Sequence, residues 1–362
     1  MSSIPENNEI RKIQFTGRST YILSLPKRWI SDMRLRAGDP VTIVREANNH
    51  LSIIPSAVRS PNTADEANSI VLSTESSTTI KRKVISMYLA GYSIINLKAK
   101  AGRILPSQRD AVREVVRRNL VGTEIISDAS EKITVQVLLS LPELSINTAV
   151  RRMFLIASEM HRDAILSLAE LNHEVAEAVI KSDDEVDRFG LYILRNLVVA
   201  IQNERILHEI GLRKTSDCLS YRVTVKSIER VADHASGIAD KCIAIKDRID
   251  KDILHHIESM SRQSLALLTD SVEAFLRRDY SLADSIVDKS NNMRLIENEV
   301  LSYIDNNESP ISGAISLNIR LILEDIRRTA EHAGDIAESA MNQTIRSVID
   351  LNGSPRPSNA SL

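Results

Sequence analysis

Aromatic side chains are nearly missing from this chain: one Trp, four Phe and seven Tyr in 362 residues, 3% against 43% hydrophobic residues overall. Burial must rest on Ala, Val, Ile and Leu, which suits packed helices better than a sandwich of sheets. Cysteine is as scarce. Cys218 and Cys242 stand apart with no C-x-x-C spacing, which argues against a disulfide framework or a thiolate zinc site and fits a reducing compartment. Each reads as a small core residue. No uncharged run approaches the roughly 18 residues that a membrane span needs. The opening MSSIPENNEIRK has no apolar core, so a secretory signal is not expected. Walker and G-x-G-x-x-G loops are missing as well, which leaves a nucleotide site without support. The expectation is a soluble, cytoplasmic protein of two or three domains.

The net charge of −2 conceals two opposite halves. Residues 1–150 hold twenty Lys and Arg against fourteen Asp and Glu, +6, whereas residues 151–350 hold twenty-five against thirty-four, −9. A basic front and an acidic back predict different partners for the two.

The back is organised by a repeat. ERVADHASGIAD at 229–240 returns as RRTAEHAGDIAE at 327–338, 98 residues later. A match of this length is a supersecondary unit used twice. Ala232, Ala235 and Ala239 recur on one helix face, a stripe against which another helix can lie closely. Glu229, Asp233 and Asp240 share a neighbouring face, where like charges four apart destabilise an isolated helix by about 0.3 kcal/mol. Either the face is simply solvated, or a cation compensates it. A period of 3.6 continues through 146–346 and predicts helices near 146–170, 174–210 and 216–246, then 250–278, 281–305 and 311–346, the last opened by Pro310. In the first, Met153, Ile156, Met160, Ala164 and Leu168 form the packing stripe. Asp183 and Asp187 lie four apart on the second. With Glu229 and Asp233 they make two acid-x-x-x-acid pairs, and carboxylate oxygens of this kind suit Mg, Mn or Ca. His234 lies about 100° around the helix from Asp233 and reads as a packing or capping imidazole. A di-metal oxidase needs paired Glu-x-x-His motifs; Glu170-x-x-His173 has no twin, and an enzyme is not expected.

The front, 8–56, alternates like strands at 10–15, 19–26, 41–44 and 51–55, with a short helix opened by Pro26 and a hairpin signal at Asn48-Asn49. Four short strands cannot enclose a core, so this unit should dimerise, with Trp29 as a core anchor. The run RKIQFTGRSTYILSLPKRW…LRAGDPVTIV resembles the SpoVT/AbrB swapped-hairpin DNA-binding domains. The resemblance implies an intertwined homodimer that places Arg11, Lys12, Arg18, Lys27 and Arg28 against DNA phosphates. Basic residues on a dimeric β-surface suit backbone neutralisation; the alternatives are solubilising charge or a unit that only dimerises. Residues 57–78, rich in Ser, Pro and Asn, read as linker. Residues 79–145 read as a small α+β module: a helix at 79–91, a strand at 92–100, a helix at 107–120 bearing Val112, Val115, Val116 and Leu120, and two closing strands. Its basic helices leave a second nucleic-acid contact or a solvated face open.

The DDEVD segment and the two duplicated helices resemble the PhoU family of phosphate-uptake regulators. That resemblance divides the back into three-helix units at 146–248 and 249–346, followed by a tail at 347–362 expected to be disordered. It implies a metal cluster, divalent or iron, held by Asp183, Asp187, Glu229 and Asp233. The second unit departs from the motif: Ser290, Arg294 and Arg327 stand where acids are expected and only Glu331 remains. An arginine repels a cation, so the site is expected in the first unit alone. The overall expectation is an α+β chain with an all-α back. Functionally it is a DNA-binding regulator of phosphate uptake, or else an adaptor that acts on a phosphate transporter ATPase or a sensor kinase through protein contacts.

Overall fold

The strand and turn signals of the front produce two small hairpins. In the computed structural model, which describes residues 9–17, 20–45, 51–55, 66–138, 144–306 and 313–349, β1 (Gln14–Thr16) pairs antiparallel with β2 (Thr20–Ile22). The turn between them starts at Gly17, whose φ of +65° is one that L side chains rarely adopt. Pro26 precedes α1 (Lys27–Asp32), and β3 (Val41–Arg45) pairs antiparallel with β4 (Leu51–Pro55). The RAGD turn closes through Asp39, whose Oδ2 accepts from Arg36 N at 2.7 Å. The two hairpins form separate sheets. Among the described residues of this stretch only Pro26 and Pro55 are buried, and Phe15, Tyr21, Ile43 and Leu51 are 59%, 70%, 63% and 66% exposed. Trp29 is half-buried and does not anchor a core within one chain. Asn48-Asn49 lies outside the described residues. Residues 1–64 are one compact unit and 65–362 another.

The expected linker 57–78 is corrected in part. Residues 57–65 lie outside the described residues, but Glu66–Val71 is a strand, β5, followed by α2 (Ser77–Leu89), β6 (Ile94–Ala99), α3 (Pro106–Arg118), β7 (Thr123–Asp128) and β8 (Lys132–Val137). Asn68 and Ser69 mask the strand in sequence, while Ala67 and Val71 are the residues that it buries. β5 is an edge strand parallel to β6, joined to it by the α2 crossover, and the sheet order is β5-β6-β8-β7. Ile80, Val84, Tyr88, Val112, Val115 and Val116 from the helices pack on Ile95, Leu97, Ile133 and Val135 of the sheet. Ser76 caps α2 by accepting from Thr79 N, and Gln108 ties the start of α3 to Leu72 O and Glu75 O at 2.8 and 2.9 Å.

The remaining helices are α4 (Ile146–Glu170), α5 (His173–Gln202), α6 (Glu204–Glu209), α7 (Asp217–Ala244), α8 (Lys251–Arg277), α9 (Tyr280–Asp305) and α10 (Gly313–Thr344). The helix expected at 174–210 breaks at Asn203, whose extended backbone ends α5 and whose side chain caps α6. Pro310 and residues 350–362 lie outside the described residues. The two units repeat their turns as well as their helices. Leu171 and Arg278 both adopt the left-handed conformation, and each is followed by an N-cap, Asn172 or Asp279. One continuous core spans both units. Ala232, Ala235 and Ala239 of α7 and Ala330, Ala333 and Ala337 of α10 are all 0% exposed, so the small-residue stripe is a packing surface. Cys218 and Cys242 are free and buried. Among the described residues no helix is long and apolar enough to cross a membrane.

Candidate functional site

The helix periodicity that aligns Asp183 with Asp187 on α5 also aligns Glu229 with Asp233 on α7, and the bundle sets these two faces side by side. Asp183 and Asp187 are half-buried. Both carboxyls are pushed up to about 6. Burial is the chief cause, because it disfavours the charged form. Asp233, Asp184 and Glu229 raise Asp183 further, and Glu229, Asp183 and Asp233 raise Asp187. Lys226 donates to Glu229 one turn away and offsets a little of the repulsion at Asp187. Gly190 leaves room beside Glu229: a Cβ there would lie 3.9 Å from Glu229 Oε2.

The four sequence-predicted acids therefore act on one another electrostatically, as an under-neutralised cluster. Among the described residues, however, no three His, Cys, Asp or Glu side chains converge closely enough to hold one metal ion. The charge and the oxygen donors are of the kind that suits a hard cation. Glu170 and His173 form no counterpart site, since His173 Nε2 contacts Ile245 O at 3.2 Å.

The second unit fills the equivalent place from within. The turn match of Asn172 with Asp279 sets Ser290, Arg294 and Glu297 opposite Asp183, Asp187 and Gly190, and Arg327 opposite Glu229. Arg327 Nε lies 2.7 Å from Glu297 Oε2, with both side chains about 10% exposed, 10% and 11%. Glu331 also pairs with Arg327, and Glu324 lies 3.8 Å away. Gly334 brings α10 so close to α9 that a Cβ would meet Ser290 Oγ at 2.6 Å, a gap too small for a longer side chain. Glu297 was missed in the sequence. Its signal was positional, a buried acid where the first unit has glycine.

Between the units, His234 of α7 stacks on its repeat equivalent His332 of α10, ring centroids 5.5 Å apart. His234 Nδ1 lies 3.0 Å from Asp325 Oδ1, and Lys241 Nζ donates to Asp325 Oδ2 at 2.9 Å. His161 is wholly buried, 3.0 Å from Ser261 Oγ, and burial pushes it down to about 4, so it is neutral at physiological pH. The packing role expected of His234 extends to a hydrogen-bond contact with Asp325 across the two units. A further missed residue, Arg195 of α5, is buried and donates to Tyr88 O and to Gly91 O, fastening the end of α2 to the helical body.

Of the front cations, Arg11 pairs with Glu9 and Arg28 lies 3.9 Å from Asp32. Lys12 and Lys27 are exposed, and Arg18 lies outside the described residues.

Family comparison agrees with this division. A PhoU domain matches residues 150–242 and 257–340, one per helical unit. Residues 14–61 match "Antidote-toxin recognition MazE, bacterial antitoxin", in line with the AbrB-like reading of the front. Among curated relatives, the "phosphate-specific transport system accessory protein PhoU homolog 1" of Thermotoga maritima is 28% identical over 205 residues, covering 53% of this chain and 82% of that protein. A Clostridium acetobutylicum homologue is 21% identical over 211 residues, 57% of this chain and 94% of its own. A crystal structure described as the phosphate transport system regulatory protein PhoU from Streptococcus pneumoniae aligns with TM-score 0.48 at 23% identity, covering 57% of this chain and 96% of that one.

Proposed function

The two helical units belong to the PhoU domain family, and from that premise we propose that the chain is a cytoplasmic, non-enzymatic regulator of phosphate uptake whose front domain binds DNA. The observation that carries this reading is the pair of family matches, one on each helical unit, in relatives named for phosphate-specific transport. The front supports the DNA half. Its apolar side chains are open to solvent in a single chain, which favours a second copy as their cover. A homodimer doubles Lys12, Lys27 and the neighbouring arginines along one surface, where they would contact phosphates. A gel shift on promoter DNA of phosphate-uptake genes tests this: wild type binds with steep salt dependence, and Lys12→Glu/Lys27→Glu/Arg28→Glu does not. Equal binding by the two rejects the DNA assignment.

On the same reading, Asp183, Asp187, Glu229 and Asp233 would hold a divalent or iron cation. The ion would supply positive charge that the cluster lacks, relieving the repulsion that raises Asp183 and Asp187. Metal content by mass spectrometry, wild type against the variant with all four changed to Ala, checks it. Comparable metal in both overturns the site.

A second reading keeps the phosphate role and removes the DNA. Here the front only dimerises, and the helical body acts on a phosphate transporter ATPase or sensor kinase. The pairing of Arg11 with Glu9 and the proximity of Arg28 to Asp32 favour it, since cations already neutralised release less on binding DNA. Unchanged phosphate regulation in the charge-reversed variant selects this second reading.

A further inference from the structure

The basic excess of the middle module is only partly neutralised by its own acids. On α3, Arg109, Arg113 and Arg117 recur every fourth residue and lie along one side of the helix. Arg109 and Arg113 both meet Asp128 of β7, at 2.7 and 2.6 Å. Lys81 and Lys83 of α2 pair with Glu114 and Glu75. Arg117, the third of the α3 series, forms no ion pair among the described residues. On α5 the same contrast appears. Arg195 is spent on Tyr88 O and Gly91 O of the middle module. Arg188, seven residues earlier and so on the same side, forms no ion pair among the described residues.

These two unspent arginines line one cleft, of about 390 Å³, where the middle module meets α5. Glu124 of β7 lines it too and is likewise outside any ion pair among the described residues. The Thr123 hydroxyl donates to Leu120 O and Val116 O, so it is already occupied. Leu138, also on the wall, is 54% exposed. The cleft therefore offers two guanidinium groups, one carboxylate and an uncovered aliphatic side chain.

We propose that this cleft binds a phosphate monoester on a hydroxylated carbon skeleton: a sugar phosphate, or the ribose phosphate of a nucleotide. Guanidinium groups hold phosphate oxygens through charge-assisted, bidentate hydrogen bonds. A carboxylate repels phosphate but accepts from sugar hydroxyls, the use to which acids are put in ribose recognition. The carbon skeleton covers Leu138. Inorganic phosphate would satisfy the arginines alone and leave Glu124 as a repulsive neighbour. The volume falls within the roughly 300–1,000 Å³ of small-molecule sites. Side chains supply all of this chemistry, so the lack of a Walker or G-x-G-x-x-G loop does not bear on it. None of the four clustered acids and none of the front cations lines the cleft, which separates it from both sites proposed above. A ligand held by Arg117 of α3 and Arg188 of α5 would join the sheet module to the helical body at a second point, beside the Arg195 clasp.

Calorimetric titration of the full-length protein with ribose 5-phosphate, AMP, ribose and inorganic phosphate tests the site. Wild type binds at least one of the two esters about tenfold or more tighter than inorganic phosphate and does not bind ribose. AMP bound more tightly than ribose 5-phosphate identifies a nucleotide; AMP bound no more tightly identifies a sugar phosphate. Arg117→Gln and Arg188→Gln each weaken the ester by about tenfold or more. Glu124→Ala weakens the ester but not inorganic phosphate. All three side chains are exposed, and unchanged thermal melting confirms folding. Lys12→Glu/Lys27→Glu/Arg28→Glu binds the ester as wild type does. Absence of ester binding, inorganic phosphate bound as tightly as both esters, wild-type affinity in the arginine variants, or loss of binding in the front variant overturns the site. Each of these results leaves the phosphate-uptake reading standing.

Discussion

In the first helical unit Asp183, Asp187, Glu229 and Asp233 repel one another, and Lys226 is bonded to only one of them. In the second, built on the same helices and turns, Arg327 occupies the place of Glu229 and is held by Glu297 and Glu331. The contrast shows how one duplicated pair of helices carries two different charge arrangements. One copy keeps a charge deficit that an external cation could relieve. The other supplies its own cation and becomes part of the structure. Two of the changed positions form the new ion pair: Gly190 and Glu229 in one unit become Glu297 and Arg327 in the other. Ser290, where the first unit has Asp183, admits the close approach of Gly334.

The sharpest way to break the comparison is to remove the built-in cation. Arg327→Met leaves Glu297 buried without its partner, and such losses cost about 3 kcal/mol. Urea unfolding at pH 7.5 should show this loss. Glu229→Met, the matched change in the first unit, should cost little because it removes repulsion.

A smaller effect of opposite sign belongs to the cluster. Asp183 and Asp187 titrate near 6 in the folded chain against an ordinary 3.8. The folded state therefore holds protons more tightly, and stability falls as pH rises from about 4 through 6. Asp183→Asn and Asp187→Asn should each stabilise the metal-free protein at pH 7.5 by about 1 kcal/mol, a figure reduced for their partial exposure. Thermal melts at pH 4 should show no gain. A gain that persists there would mean that burial of the charges is not the cause.

Smallest is Lys226→Ala. Its ion pair with Glu229 is half-exposed on the lysine side, so the change should lower stability by about 0.5 kcal/mol or less. The loss should disappear in 1 M salt, while the Arg327→Met deficit should largely remain, because buried pairs are screened less.

Much of this was legible in the residues. The 98-residue echo of ERVADHASGIAD exposed the duplication, the 3.6 period located the helices, and Arg327 and Ser290 announced that the second site had changed. The strand Glu66–Val71 was hidden, because an edge strand with Asn and Ser on it looks like linker until its parallel neighbour is known. The break at Asn203 was hidden too, since a cap residue inside a long apolar period is indistinguishable from a solvated one. Glu297, His161 and Arg195 could not be assigned, because each takes its meaning from a partner on another helix.

Sequence alone determined the local chemistry: which segments are helical, which faces are apolar, and which acids lie one turn apart. These follow from backbone periodicity, which acts over a few residues. Tertiary structure decided how those faces meet. Only the packing of α5 on α7 desolvates Asp183 and Asp187 enough to shift them, and only that of α9 on α10 gives Arg327 its carboxylate. Burial and Coulomb energy depend on distances between residues remote in the chain, and spacing along one helix does not contain them.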